Sequence, residues 1–135
     1  MPTRSTVHFV NEDNEDRHIV YVHFDGEPEK RWPQIQGVLQ RIVDHTQTYN
    51  RAGFVATQFL VDMVETYAPK SRTNPMVVRL VNQDPNNIEY RYVINCGLTE
   101  DDGFPEMKVQ KVQPGLLRDD DENYYYTGEE FKAER

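Results

Sequence analysis

The residues best placed to do chemistry are His23 and Asp25, in the run His23-Phe24-Asp25-Gly26-Glu27-Pro28. They stand two apart at the end of an apolar strand pattern, so both are expected to project to one face. A carboxylate beside an imidazole raises its basicity and fixes its tautomer, as in a general base or half of a metal site. Arg4, just before the first apolar segment, is expected across from this corner, paired with Asp25 or helping to hold an anion. With Arg91 these residues make a candidate ligand set: Arg4, His23, Asp25 and Arg91 around an anionic, nucleotide-like molecule. The competing view is structural. In it, Asp25 caps a strand-end turn and Gly26 adopts a special φ.

Other chemistry finds less support. His8, His18, His23 and His45 show no zinc spacing, and Cys96 is the single cysteine. Removal of Met1 would leave Pro2 as a terminal amine able to act as base or nucleophile, but no short β-α-β repeat accompanies it. No Gly-rich phosphate loop and no Gly-x-Ser-x-Gly elbow is present, and no cofactor is expected. A lone cysteine rules out an internal disulfide and fits a reducing cytosol.

Charge says more about partners. The formal net charge is -8 and the pI about 4.9. Such a surface repels a phosphate backbone, so direct nucleic-acid binding is disfavoured and a protein with a basic surface is the expected partner. The acids come in rows: Glu12, Asp13, Glu15 and Asp16 in one turn, Asp101 and Asp102 in another, and Asp119, Asp120, Asp121 and Glu122 near the end. Rows of this kind either imitate the phosphate spacing of DNA or form solvated loops. No secretory leader and no apolar run long enough to span a bilayer is seen, so neither membrane nor export is expected.

The elements that must position these groups follow from periodicity. At 135 residues the chain is of one-domain size. Strands are expected over 6–10 and 18–25, joined as a hairpin across the acidic turn. A helix is expected from Pro33, with Trp32, Ile35, Val38, Leu39, Ile42 and Val43 on one stripe. A second follows Gly53, with Val55, Ala56, Phe59, Leu60, Met63 and Val64 on its apolar face. Strands over 76–81, 88–95 and 106–112 complete the pattern, with Asp84-Pro85-Asn86-Asn87 as a turn. The fold class is α+β: an antiparallel sheet in the order ββααβββ, with an αα-hairpin packed on one face. Residues 1–113 are expected as one domain, and 114–135 as an acidic tail with a tyrosine cluster. An exposed sheet edge or the tyrosines would permit a homo-oligomer.

Three short motifs carry a resemblance: Thr3-Arg4-Ser5-Thr6, Val20-Tyr21-Val22-His23-Phe24-Asp25-Gly26-Glu27-Pro28, and Ile88-Glu89-Tyr90-Arg91-Tyr92. The chain resembles a group of small uncharacterised proteins of tailed phages, prophages and bacteria. Their pattern is a Ser-Thr-Arg start, Tyr-x-His-(Trp/Phe)-Asp-Gly-Tyr-Pro, and a later Glu-Tyr-x-Tyr strand. Glu27 stands where the group has tyrosine, and Thr3-Arg4 is shifted against the Ser-Thr-Arg pattern. The resemblance implies an accessory product of a mobile element that acts in the host cytoplasm by binding host proteins. The resulting expectation is a non-enzymatic inhibitor, in its sharpest form an anti-CRISPR or other anti-defence protein mimicking nucleic acid. The alternative is a small-ligand binder or enzyme built on His23 and Asp25.

Overall fold

The computed structural model describes residues 2–11, 16–45, 51–85, 87–99, 105–112 and 126–132. Strands β1 (Ser5–Val10) and β2 (Arg17–Val22) form the expected antiparallel hairpin, with Ser5 opposite Val22 and Val10 opposite Arg17. The turn is closed by the Asn11 N–H donating to the Asp16 carbonyl at 3.1 Å. Alternation sends Val7, Phe9, Val20 and Val22 to one face, where they join the main core, and Thr6, His8 and Tyr21 to the other.

After β2 the chain turns a tight corner. The positive φ falls on Asp25 (φ 60), not on Gly26 as expected. Gly26 serves close approach instead: a Cβ there would lie 2.8 Å from the Thr3 carbonyl, which accepts the Gly26 N–H at 2.9 Å. Helix α1 (Pro28–His45) begins one turn earlier than the Pro33 expectation, because Pro28 already suits a first helical position. Helix α2 (Ala52–Thr66) follows. Trp32, Ile35, Leu39 and Ile42 of α1 and Val55, Phe59 and Met63 of α2 bury their stripes against the Val7–Phe9 face. Full burial of such side chains contributes about 1.5–3 kcal/mol each, so this layer dominates the stability of the fold. A four-residue helix, α3 (Lys70–Thr73), follows α2.

Strand β3 (Val78–Val81) pairs antiparallel with β2, and β4 (Tyr90–Thr99) pairs parallel with β1. β5 (Pro105–Val112) and β6 (Tyr126–Lys132) continue antiparallel, giving the order β3-β2-β1-β4-β5-β6. The α+β class, the order ββααβββ and the helices on one face are as expected, but the sheet is mixed rather than antiparallel, because β1 and β4 pair in parallel. β3 runs parallel to β4, and two parallel strands cannot be joined by a hairpin. Residues 82–85 and 87–89 carry the chain back over the face opposite the helices. There Ile88 joins Tyr21, Val112 and Val81 in a second small core. Within the stretch expected as a tail, Tyr126–Lys132 forms the edge strand β6, with Val109 opposite Phe131. Among the described residues no helix is long and apolar enough to cross a membrane.

Candidate functional site

The face opposite the helices carries a polar row across the sheet: Arg79 on β3, Tyr21 on β2, Thr6 on β1, Arg91 on β4 and Gln110 on β5 are successive register partners. Two hydrogen-bonded relays are built on it.

The first is centred on Asp84, which the 82–89 crossover lays over β1 and β4. Thr6 Oγ1 donates to Asp84 Oδ1 at 2.6 Å, and His8 Nε2 lies 2.7 Å from the same oxygen. Arg91 gives Nε at 2.7 Å and Nη2 at 2.6 Å to Oδ2. Arg17 Nη1 stands 2.7 Å from His8 Nδ1. A guanidinium only donates, so Nδ1 accepts and His8 carries its proton on Nε2, aimed at Asp84. Burial holds the His8 imidazole below its usual range, although hydrogen bonding and charge from Asp84 pull it upward. Burial pushes the Asp84 carboxyl up, but the His8 bond and charge, the Arg91 guanidinium and the Thr6 hydroxyl outweigh it and hold the group well below the carboxylate range. The His8–Asp84 pair has the composition of catalytic machinery, but the side chains are only 2% and 1% exposed. No substrate reaches them as they stand. This relay is an internal ion network that pins the crossover to the sheet.

The second relay lies on the same face toward β3. The Arg4 guanidinium lies beside the Tyr21 hydroxyl, which is 2.8 Å from His23 Nδ1. The Arg79 guanidinium sits 4.5 Å above the Tyr21 ring and gives Nη1 to the Met76 carbonyl at 3.0 Å. Burial, then the charges of Arg4 and Arg79, hold His23 below its usual range. Burial raises the Tyr21 phenol, against the pull of the same two arginines. His23 is half-buried, so this relay opens to solvent where the first does not.

The expected four-residue pocket therefore divides. Arg4 and His23 come together, as anticipated. Arg91 belongs to the Asp84 network. Asp25 does not share a face with His23, because its positive φ turns the carboxylate toward the helices. There Asp25 Oδ2 accepts from Tyr67 Oη at 3.0 Å, and Oδ1 lies 3.4 Å from Lys30 Nζ, so the anticipated Arg4–Asp25 pair is replaced by Lys30–Asp25. Tyr67 in turn receives Arg31 Nη1 at 3.4 Å and Gln34 Nε2 at 3.2 Å. Arg31 is fully buried and also bonds the Phe24 carbonyl. Phe24, Asp25, Thr66, Tyr67, Ala68, Pro69 and Lys70 line a shallow groove of about 370 Å³ beside this corner. Its carboxylate is already engaged by Tyr67 and Lys30.

No known family, curated protein or solved structure matches this chain. Among the described residues no group of three or more His, Cys, Asp or Glu is placed to hold a metal ion. Cys96 is buried, which pushes its thiol up to about 12, with the Asp16 charge adding to the rise. That thiol is not a nucleophile at neutral pH. Of the acidic rows, Asp16 is described: it accepts from His18 Nε2 at 2.7 Å and from Asn11. Glu12, Asp13, Glu15, Asp101, Asp102, Asp119, Asp120, Asp121 and Glu122 lie outside the described residues.

Sequence reasoning missed Asp84, Thr6, Arg17, Tyr21, Arg79 and Arg31 as members of polar networks. One signal was available. Thr6 and His8 alternate with Val7 and Phe9, so a strand buried on both faces would leave two polar side chains needing partners.

Proposed function

We propose that the protein is a non-enzymatic binding protein whose acidic segments engage a basic surface on another protein. The observation carrying this reading is the clustering of acids along the sequence. Glu12, Asp13, Glu15 and Asp16, then Asp101 and Asp102, then Asp119 to Glu122 form three rows that hold ten acids in a chain of net charge -8. Concentrated rows attract a cationic partner over a Debye length of about 8–10 Å, far better than the same charge spread evenly. Sealing of the Asp–His pair also favours binding over turnover. With the resemblance to phage and prophage proteins, the sharpest form is an anti-defence inhibitor that occupies the nucleic-acid groove of a host nuclease complex.

The test is capture from a bacterial lysate over a salt series, comparing the natural chain with a variant carrying Lys at positions 119, 120 and 121. The expected partner is a nucleic-acid-binding protein lost at high salt and in the variant. A partner held equally at low and high salt, and equally by the variant, contradicts the reading.

A further inference from the structure

The first relay ends on a carboxylate and the second on a donor that meets none, a difference independent of the acidic segments. We propose that Arg4, Arg79 and the Nε2–H of His23 bind the phosphate monoester group of a small molecule.

The relay leaves one ring nitrogen for a ligand. Tyr21 Oη takes up His23 Nδ1 at 2.8 Å, so Nε2 is the nitrogen turned away from the relay, and it donates in the tautomer whose Nδ1 accepts the Tyr21 O–H. In the buried relay the equivalent donor, His8 Nε2–H, meets Asp84, and Arg91 neutralises that carboxylate. Among the described residues no carboxylate forms an ion pair with Arg4 or Arg79, and Arg4 Nε is buried without a hydrogen-bond partner. Among the described residues, two guanidinium groups stand beside one imidazole and one phenol with no carboxylate to balance them. A bound anion relieves that repulsion.

The groups are also held in advance. The Arg4 carbonyl accepts the Glu89 N–H at 2.9 Å, Arg79 is fixed on the Tyr21 ring and the Met76 carbonyl, and the edge of Phe24 packs on His23 at 4.9 Å. Little ordering remains to oppose binding. A planar carboxylate is satisfied by one guanidinium fork. Two forks and an imidazole N–H, supplied by different strands, match an oxyanion with three terminal oxygens.

The test titrates the full-length protein with inorganic phosphate, and separately with chloride at equal ionic strength, while following the His23 side-chain nitrogens by NMR. A parallel arm compares a nucleoside monophosphate with its nucleoside. The expected result is a saturable His23 shift with phosphate and with the monophosphate, absent with chloride and with the nucleoside. Arg79→Gln should weaken binding roughly tenfold or more, and Arg79→Lys, which keeps charge but loses the fork, by less. Lys111→Gln, exposed on β5, should leave affinity unchanged. The chain with lysines at 119, 120 and 121 should still bind phosphate, which separates this site from the acidic segments. No shift beyond that with chloride, equal affinity in folded Arg79→Gln and Arg79→Lys variants, or a shift with the nucleoside alone would overturn the proposal.

Discussion

The two relays share one sheet face, yet they differ in how they end. In each, an arginine stands at the head and an imidazole is held at Nδ1, by Arg17 at His8 and by the Tyr21 hydroxyl at His23. At His8 the donated proton meets Asp84. At His23 no carboxylate of the described residues takes that place. Burial explains the difference. Cations sealed from water require a partner within the chain, because an unpaired buried charge is far too costly. At the rim, water screens the cations and the counter-ion need not be built in. A fold thus places structural charge and ligand-ready charge side by side, and exposure decides which is which.

Removing Asp84 should break the comparison most severely. Asp84→Ala leaves the Arg91 charge and the Thr6 and His8 donors buried without their acceptor, a loss of about 3–5 kcal/mol in a denaturant melt. A loss under about 1 kcal/mol would place the relay in the class of weak surface pairs.

Acidification should come next. The His8 imidazole is held below its ordinary value of 6.5, so below that pH the unfolded chain binds a proton that the native one refuses. Stability should fall as pH drops from 6.5 toward the folded value. Asp84, depressed below 3.8, should add a second loss as pH falls through the carboxylate range toward its own folded value. Melting temperature measured across pH should show both. His8→Gln should flatten the upper part of the curve, and His23→Gln should flatten it less, since His23 is the more exposed. An equal effect of the two substitutions would erase the distinction drawn between them.

The smallest effect is expected from Tyr21→Phe. It deletes the hydroxyl bonded to His23 Nδ1 and keeps the ring, so the cost is about 0.5–1.5 kcal/mol. The same substitution should free His23 Nδ1 and shift its imidazole nitrogens strongly. A large loss of stability with unmoved nitrogens would mean that the ring, not the hydroxyl, matters.

Much of this architecture is written locally. The alternation of Val7, Phe9, Val20 and Val22 and the helical stripes through Trp32 and Phe59 encode strands, helices and the face they share. Arg4 and His23 were also legible together, because both lie near the ends of adjacent strands. Asp84 was not. Asp84-Pro85-Asn86-Asn87 has the composition of a solvated turn, and only the parallel β1–β4 pairing lays it over Thr6 and His8. A contact separated by some 76 residues leaves no local trace. Asp25 misled for a related reason: spacing of two implies a shared face only while the strand continues, and its positive φ ends that alternation. β6 was obscured by the acids before it, which outweighed the apolar positions Tyr126 and Phe131.

The relay polarity is tested most directly by one spectrum, the long-range proton–nitrogen correlation of the histidine side chains at neutral pH. The structure predicts a neutral imidazole protonated on Nε2 at His8, unchanged on adding phosphate. An imidazolium or an Nδ1–H tautomer at His8 would contradict it.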